Sequence, residues 1–449
     1  MSEQSGVALL HNSQANISKT EPDPETLIEE IAAYIESRLG TNRDFLVNLA
    51  CILVAAAAGA RYYIMTEKGK LRLNLSVIII GGSGISEKSV SLNIVRSILK
   101  KLEKTIEAEI LLPPQFTKEA LTKKLSEDSK KRGVPEGVIL SDEYTTMIKN
   151  SSKEYMAGAL EFSAQLYDGY VENALTIKRG HEKVDEVYIN FVGLTTFYVF
   201  TLLPEGFWTQ GNGARIIFNV EDEREYSPPT DEEINRFWNY DQARSERELD
   251  EIAEKLAKLY SLEEETKVTF NSKAQKIITS YREECRRTAH EIFNEDVFDT
   301  RANSLSRLPE FALKKSALHA VARCPLNGEV VVNYADALFG VNEARKAYEA
   351  FLKIRRIQDQ QIHYAKPNRS DVTRKMILGA FTKDEMTSSE IEELTGVGLS
   401  SVQRHLRDLA VDGLVSKSGS TKSAKWSLSE NYIKLITSES KKNEVNILD

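Results

Sequence analysis

Cysteine is nearly absent from this chain of 449 residues: Cys51, Cys285 and Cys324 stand far apart and are odd in number. They offer neither a disulfide framework nor a zinc knuckle, and a reducing, cytoplasmic setting suits them best. Histidine is scarce too, with six residues at no metal-ligand spacing. An excess of positive charge is missing. Lys and Arg total 59 against 67 Asp and Glu, a net charge of −8. That excludes a uniformly basic nucleic-acid coat, while leaving room for basic residues confined to a pore or a small module. No basic segment followed by an apolar core marks a signal peptide. The most apolar stretch, FLVNLACILVAAAAGA at 45–60, is shorter than the ~20 residues a spanning helix needs, and Asn48 interrupts it. A buried helix is expected there, and no membrane partner.

What is present describes a globular protein, with 41% hydrophobic and 28% charged residues. At roughly 100–200 residues per domain the length calls for two to four domains. Residues 1–24 are polar without periodicity and read as a disordered tail. Residues 25–74 read as an N-terminal helical segment. Strand and helix patterns alternate over 75–226: strands at 75–80, 110–112, 137–140, 187–193 and 216–220, helices near 88–108, 117–131 and 153–168, and a further β-like run at 174–178. Such alternation implies an α/β core with a mostly parallel sheet. SPPT at 227–230 breaks the chain. Residues 227–365 then read as a helical lid or extension of charged amphipathic helices with little strand signal. KPNRS at 366–370 links to a compact module at 370–429, and 430–449 reads as a tail.

The β-branched run LSVIII is followed by a glycine-rich turn, Gly82, Ser83, Gly84, Ile85, Ser86 and Glu87, and then by Lys88 and Ser89 at a helix start. A turn of this kind between strand and helix reads as a phosphate-binding loop. Backbone N–H groups and the helix N-terminus would cradle phosphates, Lys88 would reach the β- and γ-phosphates, and Ser89 would ligate Mg²⁺. The pattern departs from G-x-x-x-x-G-K-[ST], because Glu87 stands where the second glycine belongs. The alternative is a glycine turn with a chance lysine and serine.

About fifty residues later VILSDE ends an apolar strand in Asp142 and Glu143. Asp142 would hold the metal, and Glu143 would orient or deprotonate an attacking water. An acidic helix start is the plainer reading. After the strand at 187–193, Thr195 or Thr196 would contact the γ-phosphate or the water, or else cap the next helix. Arg215 precedes the last strand, either as a finger toward a neighbouring subunit's nucleotide or as a surface arginine. Arg301 and Arg307, before the run LPEFALKKSALHAVA, are further candidates to reach a nucleotide.

In this order NLSVIIIGGSG-x3-KS, VILSDEY, LYDG, GLTT and GARIIF resemble the P-loop domain of primase-linked ATPases of phages, plasmids and archaeal viruses. They also resemble the minichromosome-maintenance helicases of the AAA+ class, which likewise lack the second P-loop glycine. The resemblance implies an AAA+-like P-loop NTPase core, ATP and Mg²⁺ as cofactors, and ATPase roles for Lys88, Ser89, Asp142, Glu143, Thr195 and Arg215. It further implies a homo-oligomer, in the helicases a hexameric ring, with primase or replisome proteins as partners. Glu87 departs from that family's loop and puts the hydrolysis rate in question. By the same analogy Lys178, Arg179 and Lys183, in a basic hairpin turn, would line a pore and grip DNA; a solvated turn is the alternative.

The module at 370–429 carries two S/T-x-x-E/Q patterns, at 387–390 and 400–403, with Gly396 between them. These mark helix starts and a stop, hence helix-turn-helix, and Lys-rich β runs after 414 add a wing. Ser401, Gln403, Arg404 and Arg407 would face the major groove, with Val402, Leu406 and Leu409 toward the core. Lys417, Lys422 and Lys425 would meet phosphates. Ten Lys/Arg face eight Asp/Glu over 366–429, a slight positive balance in an acidic chain. Docking on protein is the other use of such a fold. The expected function is therefore a DNA-dependent ATPase, a replicative helicase or initiator of a mobile element, plasmid or virus. The alternatives are a nucleotide-switched DNA-binding regulator with little hydrolysis, or a protein-remodelling or DNA-packaging ATPase.

Overall fold

The structure, a computed structural model, describes residues 26–39, 45–82, 87–151, 159–172, 183–203, 206–209, 211–221, 241–262, 264–297, 299–323, 329–364, 369–381, 383–411, 413–419 and 424–429. Both expected tails, the SPPT break, the β-like run at 174–178 and Cys324 lie outside them. Contacts divide the chain into two units, 1–362 and 363–449, each taken by itself below.

The first unit opens with helices α1 (Leu27–Leu39) and α2 (Leu46–Ala58). Helix α2 is apolar on every side except at Asn48 and is buried at every position but Val47, the placement such a helix requires. A hairpin follows, β1 (Tyr62–Thr66) and β2 (Gly69–Arg72). Then come β3 (Ser76–Ile80), α3 (Lys88–Ile106), β4 (Leu111–Leu112), α4 (Lys118–Arg132), β5 (Glu136–Ser141), α5 (Tyr144–Ser151) and α6 (Ala159–Asp168). They lead into β6 (Val171–Glu172), β7 (Lys183–Val184), β8 (Tyr188–Thr195), α7 (Gly206–Thr209) and β9 (Ile217–Val220). The unit continues through α8 (Gln242–Tyr260), β10 (Thr266–Phe270), α9 (Ser272–Glu295), α10 (Thr300–Arg323), β11 (Val330–Val332) and α11 (Tyr334–Tyr364).

Five strands form a sheet in the order β4-β5-β8-β3-β9, every pair parallel. Val77 to Ile80 in β3 are all buried, so the apolar run is a strand covered on both faces. After β3 the chain moves to the far edge at β4, and after β8 it passes β3 to reach β9. That reversal is a topological switch point, where open α/β sheets leave a crevice beyond the strands' carboxyl ends.

A second sheet runs β11-β10-β1-β2, with β1 antiparallel to β2 and parallel to β10. The expectation of few strands in 227–365 is corrected here, since β10 and β11 lie in that stretch; β10 pairs with β1 of a hairpin some 200 residues earlier, and β11 pairs with β10. Their sequence signal is short, TKVTF and VVV, and the partner is remote. Arg72 ties the sheets together from a buried position: its guanidinium donates to Glu186 (2.8 Å), Glu265 (2.7 Å) and the Ala60 carbonyl. One apolar core runs from Leu27 to Ile354. Where α10 crosses α11, a Cβ at Gly340 would collide with the Ala312 carbonyl and Ser316, so only glycine permits that approach.

A polar lock fastens α1 to α10 and α11. His319, 4% exposed, meets Asp336 at 2.7 Å through Nδ1 and Glu29 at 3.3 Å through Nε2, and stacks on Phe339. Arg323 donates to Asp336 at 2.8 Å, and the Asn333 N–H does so at the same distance. Burial works against a charged imidazole, but the hydrogen bonds and charges of Asp336 and Glu29 outweigh it and lift His319 to about 9.

The second unit comprises α12 (Arg369–Gly379), β12 (Met386–Thr387), α13 (Ser388–Thr395), α14 (Leu399–Val411), β13 (Val415–Ser418) and β14 (Lys425–Leu428). Its sheet order is β12-β14-β13, and its core gathers Ile377, Met386, Ile391, Val402, Leu406, Leu409, Val415 and Trp426. The first capping box is complete: Thr387 accepts from the Glu390 N–H, and Glu390 accepts from that of Thr387. Gly396 stops the helix at φ 67°, in the left-handed region. Instead of opening on the second expected box, α14 begins at Leu399. The Gly398 carbonyl accepts from Ser401 and Val402, and the Glu392 carboxylate accepts the Leu399 N–H at 2.9 Å. An acid from the preceding helix thus does what a local cap would have done.

Candidate functional site

The register of the parallel sheet places three strand ends side by side. Ile80 of β3 lies opposite Thr195 of β8, and Ser141 of β5 lies opposite Gly193. The residues that follow, from 81, 142 and 196, therefore leave the same edge within a few ångströms of strand rise. A cleft of about 480 Å³ lies there, a size that takes small ligands. Lys88 and Ser89 line it from the start of α3, Asp142 and Glu143 from the end of β5, and Thr195 and Thr196 from the end of β8. Residues separated by more than fifty positions meet because all their strands run the same way.

The Gly81 N–H donates to the Thr195 carbonyl at 3.2 Å, pinning the loop's first residue to β8. Ser83, Gly84, Ile85 and Ser86 lie outside the described residues, while Gly82 marks the loop's start. Lys88 folds back and donates to the carbonyls of Gly81 (3.0 Å) and Gly82 (2.9 Å). It is 8% exposed, and burial lowers its ammonium pKa. Glu87 has φ 48° and ψ 15°, the left-handed conformation that favours glycine. The position therefore keeps the backbone shape of a glycine while carrying a side chain.

Asp142 accepts both hydrogen bonds of an Arg96 nitrogen, at 3.1 and 3.2 Å. Arg96 comes from α3, two turns past Lys88, and sequence reasoning missed it. Glu143 accepts from the Thr146 hydroxyl at 2.9 Å. The Thr195 hydroxyl lies 2.6 Å from that of Thr145, a second missed residue, which joins β8 to α5. Thr196 stands ahead of the 3₁₀ turn at Phe197–Thr201 in an extended conformation without a side-chain cap bond, so capping does not account for its hydroxyl. Lys149 of α5 also lines the cleft, its amine 5.0 Å from the Tyr198 ring centroid. No spacing rule pointed to it; position on the helix after the acidic pair was the available signal.

Arg215 is placed elsewhere. It ends a 3₁₀ turn just before β9, at the amino edge of the sheet, opposite the cleft of its own chain. Its Nε and Nη2 hold Asp168 at 3.0 and 2.8 Å, and Nη1 holds the Gly211 carbonyl at 2.9 Å. Those bonds raise its pKa against the effect of burial. The LYDG segment is thereby explained by structure, since its Asp168 anchors Arg215. Arg301 pairs with Asp299 (2.7 Å), Arg307 with Glu310 (3.0 Å), and neither lines the cleft.

The basic hairpin differs from its expected form. Its described stem is β6 paired with β7, Val171 to Val184 and Glu172 to Lys183, and the 187–193 run belongs instead to central strand β8. Lys183 pairs with Asp185 at 2.6 Å; Lys178 and Arg179 lie outside the described residues. Among the described residues no cluster of His, Cys, Asp and Glu forms a metal-holding group, and no helix is long and apolar enough to cross a membrane.

In the second unit Val402, Leu406 and Leu409 of α14 are buried, while Gln403, Arg404 and Arg407 are exposed and Ser401 is half-buried. The 3.6-residue period alone produces this division. Lys417 is exposed, 5.8 Å from the Trp426 ring, and Lys425 pairs with Glu385 at 3.3 Å. Lys422 lies outside the described residues.

Together these features define a mixed α/β unit with a parallel sheet, and a separate winged helix-turn-helix. The latter agrees with the comparison to known proteins: residues 371–417 match the family described as bacterial regulatory protein, arsR family. No curated protein matches the chain.

Proposed function

We propose that the chain hydrolyses ATP in the cleft at the carboxyl edge of its parallel sheet and acts on DNA held by the winged helix. The observation that carries this reading is the convergence of Lys88 and Ser89, Asp142 and Glu143, and Thr195 at adjacent strand ends. Lys88 would bind phosphate, exchanging loop carbonyls for phosphate oxygens. Mg²⁺ suits the hard oxygen donors of Ser89 and Asp142, and it would displace Arg96 from Asp142. Bound there, the metal would neutralise charge developing on the phosphates. Glu143 would hold the attacking water and accept its proton. The water oxygen bonds to the terminal phosphorus as the bridging P–O bond breaks, and the electron pair leaves on the diphosphate.

Replicative helicase or initiator action by a ring of subunits, with primase or replisome partners, is the finer form of this proposal. Use of Arg215 across a subunit interface would require it to leave Asp168 and Gly211. The winged helix would supply the DNA contacts, with Gln403, Arg404 and Arg407 toward the groove.

The test is ATP turnover by wild type and Lys88→Ala, each with and without single-stranded and duplex DNA. DNA-stimulated turnover that the variant loses supports the proposal. Binding without turnover under every condition would instead favour a nucleotide-switched regulator. Two observations favour that second reading: the carboxylate of Glu87 in the cleft, and the regulator-family match of residues 371–417.

A further inference from the structure

We propose that Lys149 is a phosphate-binding residue of the cleft, meeting the terminal phosphate of a nucleoside triphosphate from within the same chain. The inference rests on reading the cleft as a nucleotide site. Among the described residues that line it, the cationic side chains are Lys88 and Lys149, against the carboxylates of Glu87, Asp142 and Glu143. The two lysines occupy different walls. Lys88 belongs to the β3 side, over the loop carbonyls. Lys149 rises from α5, six residues beyond Glu143, which is about 9 Å along a helix axis. Its amine stands over Tyr198, two residues past Thr196, so the third wall of the cleft steadies it.

A triphosphate gripped by the loop at one end would direct its terminal group toward Asp142, Glu143 and Thr195. Those walls offer two carboxylates and a hydroxyl, so a multiply charged terminal phosphate there gains from a protein cation on the α5 side in addition to Mg²⁺ and Lys88. Arg215, Arg301 and Arg307 are engaged elsewhere: Arg215 with Asp168, Arg301 with Asp299, and Arg307 with Glu310. Lys149 is exposed, and the flexible stem and compact charge of a lysine suit it to reach a phosphate from the helix that carries it.

Isothermal titration of the full chain with Mg²⁺ and either a non-hydrolysable ATP analogue or ADP tests the proposal. For Lys149→Ala the analogue should bind about tenfold more weakly while ADP affinity stays the same, because ADP lacks the group that Lys149 meets. Lys149→Arg should restore most of the loss. Equal weakening of both nucleotides, or no change in either, overturns the assignment of Lys149 while leaving the nucleotide site intact. Wild type that binds neither nucleotide overturns the site itself, and this inference with it.

Discussion

Replacing His319 with Gln should convert a pH-dependent stability into a nearly flat one. His319 is raised from 6.5 to about 9 in the folded chain, with burial opposing the charge and the hydrogen bonds to Asp336 and Glu29 more than restoring it. The folded state therefore holds this proton more tightly than the unfolded state. Its contribution is complete below pH 6.5 and disappears as pH rises through 9. The rise corresponds to about 3 kcal/mol, an upper figure, because Glu29 is half exposed and solvent screens its part of the lock. Glu29, lowered to about 2 although burial raises it, reports the same contact from the acid side and adds nothing further. Urea unfolding between pH 6 and 9.5, followed by hydrogen exchange over 312–323, separates this unit from the winged helix. The stability difference between wild type and His319→Gln should shrink by about 3 kcal/mol across that range. A difference that stays constant with pH would mean that the imidazole is not charged in the fold, and the account of the lock would be wrong.

Two further substitutions probe the functional surfaces. Glu87→Gly removes a side chain from a left-handed backbone position and a carboxylate from the cleft, so it should stabilise the fold by about 0.5–1 kcal/mol and tighten Mg-nucleotide binding several-fold. Calorimetric titration and thermal unfolding read both effects, and weaker binding would show that the carboxylate serves the site. Arg404→Ala combined with Arg407→Ala should weaken duplex binding by about 1–3 kcal/mol for each groove contact removed, as an electrophoretic or fluorescence titration reads. Nucleotide affinity should not move, and an unchanged duplex affinity would remove α14 from the DNA-contacting surface.

Much of this protein is written locally. The β-branched run ending at Ile80 favours a buried strand, and the turn and helix behind it carry their own signals. Thr387, Glu390 and Gly396 fix one helix from its own ends, because capping bonds reach only three or four residues. The periodicity of α14 alone sorts Val402, Leu406 and Leu409 from Gln403, Arg404 and Arg407. What lies beyond that reach is decided by packing between distant segments. Strands β10 and β11 are too short to announce themselves, and they exist because β1 offers an edge that the sequence brings near only through the fold. Asp168 and Arg215 find each other across 47 residues, which turns a candidate finger into an anchored guanidinium at the amino edge of the sheet. Thr145 and Lys149 line the cleft, and Arg96 reaches its Asp142, because α3 and α5 follow strands that flank β8 on either side in the same parallel sheet. A motif names the residues at the strand ends, but the register of the sheet and the helices behind it choose the company those residues keep.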